Sequence, residues 1–244
     1  MIQHYVPAGE FLMGSDWEEI KDYPLAHEFQ NEAPKHWVYL DAFWIDHTEV
    51  TNAQYAKCVA DGGCTPSGCM NNPAFNQPNQ PVVCVTREQA ITYCHWAGRE
   101  LPTEAQWEKA ARGTDGRLYP WGNVPSPSCE YVVMNDGGLS CGRGETTWPV
   151  GSKPRGASPY GALDMAGNVW EWVSDWYDPN YYAYSPYENP TGPDGPVDDH
   201  LGVRRGGSFN RDQPSQLRVA IRYWQDVHTS NKTSLGFRCV LPEP

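Results

Sequence analysis

The segment 164–171, which reads DMAGNVWE, contains the residues best placed for metal chemistry in this 244-residue chain. Its two carboxylates, Asp164 and Glu171, flank a glycine-containing turn that would expose backbone carbonyls. Hard oxygen ligands at such close spacing are suited to Ca²⁺. A turn whose acidic side chains cap backbone N–H groups would contain the same residues. The pattern by itself is therefore compatible with either structure.

Sulfur chemistry would depend on eight cysteines, at positions 58, 64, 69, 84, 94, 129, 141 and 239. No Cys-x-x-Cys pair occurs, and no nearby pair of histidines completes a zinc site. The intervals from Cys64 to Cys69 and from Cys129 to Cys141 are typical of small disulfide loops. We therefore predict disulfides and an oxidising location: extracellular, periplasmic or at the cell surface. The spacing leaves the connectivity open.

The segment 208–231 combines polar side chains with aromatic ones, a composition suited to recognition on a rigid body. The seven histidines show no grouping that indicates an iron site. We interpret His47, beside acidic residues, and His95, within a predicted helix, as structural. No Ser-His-Asp arrangement or phosphate-binding loop stands out.

Three segments that could position these residues are predicted to be helices: 51–62, 86–98 and 103–113. Each begins with a threonine cap and ends at a glycine, and for the last two we predict a capping box from the glutamine three residues after the threonine. Strands are predicted at 38–46, 217–223 and 236–241, and we expect an antiparallel sheet that joins the two termini. Residues 114–204 show little periodicity, so turns must organise them.

The composition limits the possible partners. The formal charge is −12 with a pI near 4.9, and only 18 Lys and Arg residues are present, so nucleic acid is not an expected partner. No apolar run approaches the roughly 18 residues that a membrane-spanning helix needs, so we expect no direct membrane insertion. We predict no signal or anchor within these residues and expect a leader or neighbouring domains to lie outside this sequence. Its length and continuous composition indicate a single domain, 1–244.

Seven motifs occur in the order found in the formylglycine-generating enzymes, or sulfatase-modifying factors, and cover nearly the whole chain. They are PAGEFLMGS at 7–15, EVTNAQY at 49–55, AGRELPTEAQWEKAARG at 97–113, YPWGN at 119–123, DMAGNVWEW at 164–172, RGGS at 205–208 and GFRC at 236–239. The chain resembles this family. The resemblance implies an α+β, C-type lectin-like fold with low regular secondary structure, a few helices and short antiparallel sheets.

The resemblance also implies a structural calcium site made by the side chains of Asp164 and Glu171 and the carbonyls of Gly167 and Val169. It favours a disulfide between Cys94 and Cys239 in addition to the Cys129–Cys141 pair. A second calcium site of the family would fall between 129 and 147, where the residues available are Glu130, Asn135 and Asp136. The Cys129–Cys141 loop departs from the family pattern there, and we do not predict that second site.

Catalysis in the formylglycine-generating enzymes uses Cu(I) held by two cysteine thiolates. By the resemblance, the matching positions in this chain are Arg211 and Gln216. Soft Cu(I) prefers thiolates. A protonated guanidinium has no lone pair to offer, and an amide is a hard ligand. Copper is therefore not an expected cofactor, although Ser208 and Trp170 match residues that line the enzymes' site. An enzyme remains a possible reading, but the replacements argue against formylglycine-generating activity.

The favoured hypothesis is a non-catalytic module that binds a protein or a small molecule between the RGGS and GFRC motifs. One alternative is a variable protein of a diversity-generating retroelement. Another is an oxidase that acts on protein cysteine through unfamiliar ligands, or through metal at Cys129 and Cys141. The predicted binding surface comprises Ser208, Asn210, Arg211, Asp212, Gln213, Gln216, Tyr223, Trp224 and Trp170.

Overall fold

The computed structural model describes residues 2–198 and 200–243. Its helices are α1 (Trp17–Ile20), α2 (Asn52–Ala60), α3 (Arg87–Trp96) and α4 (Glu104–Arg112). Its strands are β1 (Gln3–Val6), β2 (Gly9–Met13), β3 (His36–Leu40), β4 (Phe43–Asp46), β5 (Trp170–Trp176), β6 (Leu201–Arg205), β7 (Arg222–Asp226), β8 (Leu235–Gly236) and β9 (Val240–Pro242). Within the described ranges, no helix is long and apolar enough to cross a membrane.

The three predicted helices are confirmed as α2, α3 and α4, and each begins with a reciprocal capping interaction. At the start of α2 the Thr51 hydroxyl accepts the N–H of Gln54, while the Gln54 side chain accepts the N–H of Thr51. The same exchange of threonine and glutamine begins α3 and α4. Gly113 has a φ of 70°, which lets the chain leave α4 in a conformation that favours glycine.

The expected sheet between the termini is confirmed: β4 pairs with β1 on one side and β9 on the other. The prediction of one strand over 38–46 is wrong, because this run forms β3 and β4 in two different sheets. The break falls at Asp41 and Ala42, where the N–H of Asp41 bonds the side chain of Asn189 instead of a neighbouring strand.

The predicted strand over 217–223 is also wrong, since β7 begins only at Arg222. A short 3₁₀ helix, Pro214–Leu217, precedes it, and the Arg218 guanidinium turns inward to bond the buried Glu32. The predicted strand 236–241 is divided into β8 and β9. The residues between them are buried and bonded elsewhere: Arg238 to Glu171, and Cys239 to Cys94.

A four-stranded sheet, ordered β7-β6-β5-β8, positions the candidate site. Its β5–β6 and β6–β7 pairs are antiparallel, and β5–β8 is parallel. Successive side chains of a strand point to opposite faces. Glu171 and Arg205 therefore contact α4 on one face, whereas Trp170 and Arg204 lie on the other.

All eight cysteines form disulfides: Cys58–Cys64, Cys69–Cys84, Cys94–Cys239 and Cys129–Cys141. The Cys94–Cys239 and Cys129–Cys141 pairs are confirmed. The connectivity that the spacing left open is Cys58–Cys64 and Cys69–Cys84: the turn after α2 returns Cys64 to Cys58, and the N–H of Gly68 bonds the carbonyl of Cys84. Four disulfides are consistent with folding in an oxidising environment.

Candidate ligand-binding site

Buried ion pairs between α4 and the large sheet form the rigid base of the candidate site. Glu104 accepts hydrogen bonds from Arg205 at 2.9 Å and from Arg222 at 2.8 Å, and Arg205 also bonds Glu108. All four side chains are buried. Each guanidinium on this face therefore has a carboxylate partner. These ion pairs fix β6 and β7 against α4, on the face of the sheet opposite the candidate site.

The opposite face carries two arginines on aromatic rings. The Arg204 guanidinium lies 4.9 Å from the ring centroid of Trp170 and 5.2 Å from that of Tyr223. Arg211, from the loop after β6, lies 5.5 Å from the same Trp170 ring. The Tyr223 ring is in turn stacked beside Trp224, with centroids 6.2 Å apart. We call these five residues the Trp170 face.

The two arginines of the Trp170 face form no ion pair with any described residue, and the Nε atom of each is buried without a hydrogen bond. Burial, followed by repulsion from Arg211, lowers the pKa of Arg204 to about 10. Arg204 is therefore still protonated at neutral pH. The face carries two positive charges in a protein whose overall charge is −12.

The structure brings together only part of the predicted surface. Arg211, Tyr223 and Trp224 are at least partly accessible, and Trp170 is buried beneath the two arginines. Of the remaining predicted residues, Asn210, Asp212 and Gln213 reach solvent, whereas Ser208 and Gln216 are buried.

The burial of Gln216 and Ser208 has a local cause. Gln216 lies in the 3₁₀ helix Pro214–Leu217, whose backbone packs against Gly207 so closely that a Cβ atom there would lie 2.7 Å from the Gln216 carbonyl oxygen. The Ser208 hydroxyl donates to the Asn210 side chain at 2.8 Å. Gln216 therefore packs inside the protein rather than at the centre of a recognition surface.

Sequence reasoning missed Arg204. The available signal was the pair Arg204-Arg205 directly before two glycines. In a strand, two adjacent side chains point to opposite faces, so one arginine of the pair had to face away from the acids that bind the other.

A pocket of about 270 Å³ adjoins the Trp170 face and is lined by Tyr223 and Trp224 together with His27, Glu28, Gln30, Asn31, Tyr177 and Pro179. Two pockets of about 320 Å³ lie beside α2, and neither adjoins the two arginines of the Trp170 face. The Trp170 face combines accessible aromatic rings with uncompensated charge, so we take it as the candidate site.

The segment predicted to bind calcium forms a tight turn in which Asp164 has a φ of 56°. One oxygen of Asp164 accepts the N–H of Gly151 at 2.6 Å. Both oxygens of Glu171 accept from Arg238, at 2.6 and 2.7 Å, and one also accepts from the Trp107 indole at 2.8 Å. Asp164 is therefore the more available carboxylate of the two.

A third carboxylate, Glu49, is fully buried beside this turn. One of its oxygens accepts from Asn168, and the other has no hydrogen-bond partner among the described residues. Burial, then the two neighbouring carboxylates, raise the pKa of Glu49. Arg238 pairs with Glu171, whereas Asp164 and Glu49 form no ion pair with any described residue. Buried carboxylate oxygens without a cationic partner are suited to a hard cation. In residues 2–198 and 200–243, no three acidic, His or Cys side chains converge as metal ligands, so the carbonyls of Gly167 and Val169 would have to complete the site.

Comparison with known proteins assigns the chain to a family. Residues 3–242 match the family model of the sulfatase-modifying factor enzyme 1-like domain. The chain belongs to this family. A formylglycine-generating enzyme of Streptomyces coelicolor is 35% identical over 292 residues, which cover 96% of this chain and 87% of that enzyme. The expected family is thus confirmed.

Two solved structures confirm the α+β, C-type lectin-like fold of this family member. PvdO from Pseudomonas aeruginosa is 24% identical with a TM-score of 0.75, covering 99% of this chain and 94% of that one. Treponema denticola variable protein 1 is 22% identical with a TM-score of 0.74, covering 99% and 95%. At these identities the likeness shows the fold alone.

Proposed function

We propose that this member of the sulfatase-modifying factor family is a non-catalytic binding module, whose protein or small-molecule ligand contacts the Trp170 face. One observation carries the proposal: all eight cysteines are paired in disulfides, and the two positions that match the family's copper-binding cysteines hold Arg211 and Gln216. Thiolate ligation of Cu(I) needs reduced cysteine. The four disulfides also support a secreted or cell-surface location as part of this proposal.

One of the two replaced positions, Arg211, supplies a binding group instead of a metal ligand, and Trp224 belongs to the same face. Arg211 offers a permanent charge and five N–H donors, and it is supported by the Trp170 ring. Trp224 is 45% exposed and offers a flat apolar surface of the kind enriched at interfaces. Trp224 belongs to β7, and the loop residue Arg211 packs on Trp170 of β5. Because buried ion pairs hold this sheet, recognition would need little rearrangement.

A thiol assay and an activity assay test the proposal. The unreduced protein, native and denatured, is treated with iodoacetamide and weighed by mass spectrometry, and we expect no alkylation until a reductant is added. The protein is also incubated with Cu(I), oxygen and a cysteine-containing peptide, with a formylglycine-generating enzyme as positive control. Two thiols that Cu(I) protects, or aldehyde formation above a copper-free control, would overturn the proposal.

The alternative, a variable protein of a diversity-generating retroelement, is tested by sequencing the DNA on both sides of the gene. A template repeat beside the gene would support it. Gln213, Gln216, Gln225 and Lys232 do not arise from the asparagine codons such systems usually mutate, and Gln216 is also buried. These observations favour a fixed binding surface.

We also propose that one structural Ca²⁺ stabilises the turn at 164–171. The support is the two buried carboxylates, Asp164 and Glu49, that form no ion pair with any described residue, and the unpaired oxygen of Glu49. When bound, the ion would be held by Asp164, by the carbonyls of Gly167 and Val169, and by Glu171. Its role would be to hold β5 in position, not to take part in a reaction.

A further inference from the structure

We infer that Arg204 and Arg211 bind an oxyanion, the carboxylate or phosphate group of an anionic ligand, on the Trp170 face. This inference rests on the proposed binding function and names the chemistry of the ligand. Two arginines lie over one indole ring, at 4.9 and 5.5 Å from its centroid, and the described residues supply no acid to pair with either. The missing counterion is the group that the ligand would supply.

Four buried arginines elsewhere in the described residues show what this pair lacks. Arg205 and Arg222 bond Glu104, and elsewhere Arg218 pairs with Glu32 at 2.8 Å and Arg238 with Glu171 at 2.6 Å. A buried charge is costly unless it is paired. Arg87 is a further buried arginine without an acid, but its guanidinium donates to the backbone carbonyls of Ser174 and Asp175. Arg204 and Arg211, in contrast, form neither an ion pair nor a side-chain hydrogen bond with the described residues.

Arg204 is a buried part of the site and not a surface side chain. Only 9% of it is exposed, its Nε atom has no hydrogen-bond partner, and its guanidinium contacts the faces of Trp170 and Tyr223. Stacking on aromatic faces orients a guanidinium while leaving its N–H edges free to bind oxygen atoms. Such fixed edges suit the paired oxygens of a carboxylate or phosphate.

The surroundings also indicate what lies next to the anion. Tyr223 contacts Arg204 and also lines the adjoining pocket of about 270 Å³, whose rim includes the exposed Trp224. A ligand with its oxyanion on the arginines would extend across these two rings. We therefore expect an aromatic or otherwise flat group beside the negative charge.

Small aromatic probes test this inference on the intact protein. Benzoate and phenyl phosphate supply the two oxyanions, whereas benzamide and benzylamine replace them with a neutral and a positive group. Binding is followed by ligand-observed NMR and by tryptophan fluorescence. We expect one or both anions to bind with about millimolar dissociation constants. The anion that binds more tightly shows whether the site prefers a carboxylate or a phosphate. The neutral and cationic probes should bind at least about tenfold more weakly.

Matched variants locate the binding. Arg211→Gln and Arg204→Gln should weaken the preferred anion by about tenfold to a hundredfold, since each removes a charge-assisted hydrogen bond. Arg143→Gln is the control, because Arg143 stacks on a different ring, Trp148, at 5.0 Å and carries the same charge. It should change the affinity by less than about twofold.

Two results would overturn the inference: benzamide binding as tightly as benzoate and phenyl phosphate, or equal anion affinity in the parent and in Arg211→Gln. If Arg204→Gln does not fold, Arg211→Gln decides alone, because Arg211 is only half-buried. Either result would leave the non-catalytic proposal standing. Copper-dependent aldehyde formation, in contrast, would refute the non-catalytic proposal and also the oxyanion inference that rests on it.

Discussion

Removing the Cys94–Cys239 disulfide should destabilise the protein far more than removing Cys58–Cys64. The first joins α3 to the chain just before β9 across a sequence separation of 145, while the second spans 6. In the chain-entropy description, a cross-link stabilises the folded state by restricting the unfolded chain, and its effect grows with the logarithm of the loop length. For these separations the description gives about 5 and about 2 kcal/mol at 25 °C.

The comparison uses the double variants Cys94→Ala/Cys239→Ala and Cys58→Ala/Cys64→Ala, so that neither leaves a free thiol. Urea unfolding without reductant, followed by tryptophan fluorescence, measures the free energy of unfolding of each. We expect the first variant to lose about 3 kcal/mol more than the second. Burial of Cys94 and Cys239 adds a packing loss in the same direction. Equal losses in the two variants, or a larger loss in the second, would refute the reasoning.

Three further predictions concern charge. Burial and the neighbouring Glu104 raise the pKa of Asp175 to about 7, so the folded state keeps a proton that the unfolded chain releases near 3.8. Stability should therefore fall as the pH rises between these values, and Asp175→Asn should remove that slope, as melting temperatures at about pH 5 and about pH 8 would show. A parent slope unchanged in the variant would contradict the assignment. Glu104→Gln should cost about 3–5 kcal/mol of unfolding free energy, because Arg205 and Arg222 lose their shared carboxylate. The exposed Glu18→Gln should cost less than about 0.5 kcal/mol. Ca²⁺ at a hundred times its dissociation constant should stabilise the protein by about 2.7 kcal/mol, an effect that chelator and Asp164→Asn should abolish. An unchanged melting temperature, with no metal found by elemental analysis, would exclude the calcium site.

Local sequence signals predicted the helices well because their causes are local. The threonine caps, the reciprocal glutamines and the final glycines act within one or two turns of the chain, so α2, α3 and α4 follow from their own residues. The strands were predicted less well. Residues 217–221 have the composition of a strand, yet the ion pair between Arg218 and Glu32 joins positions 186 residues apart, and no local pattern reports it.

The candidate site, too, was predicted from the sequence only in part. The order of the motifs was sufficient to place the chain in its family, and the resemblance predicts that Arg211 and Gln216 match the family's copper-binding cysteines. The sequence could not tell that Gln216 would be buried and Arg211 partly exposed. That difference depends on how the loop after β6 packs against Gly207 and Trp170.

The sequence by itself therefore determined the family, the fold class and the capped helices, because each depends on residue type at matched or neighbouring positions. Only the tertiary structure decided how Cys58, Cys64, Cys69 and Cys84 pair, which residues of the 208–231 segment face outward, and that Arg204 joins Arg211 over one indole ring. The physical reason is that pairing, burial and charge compensation are contacts between residues far apart in the chain. Their energies depend on distances that only the folded chain defines.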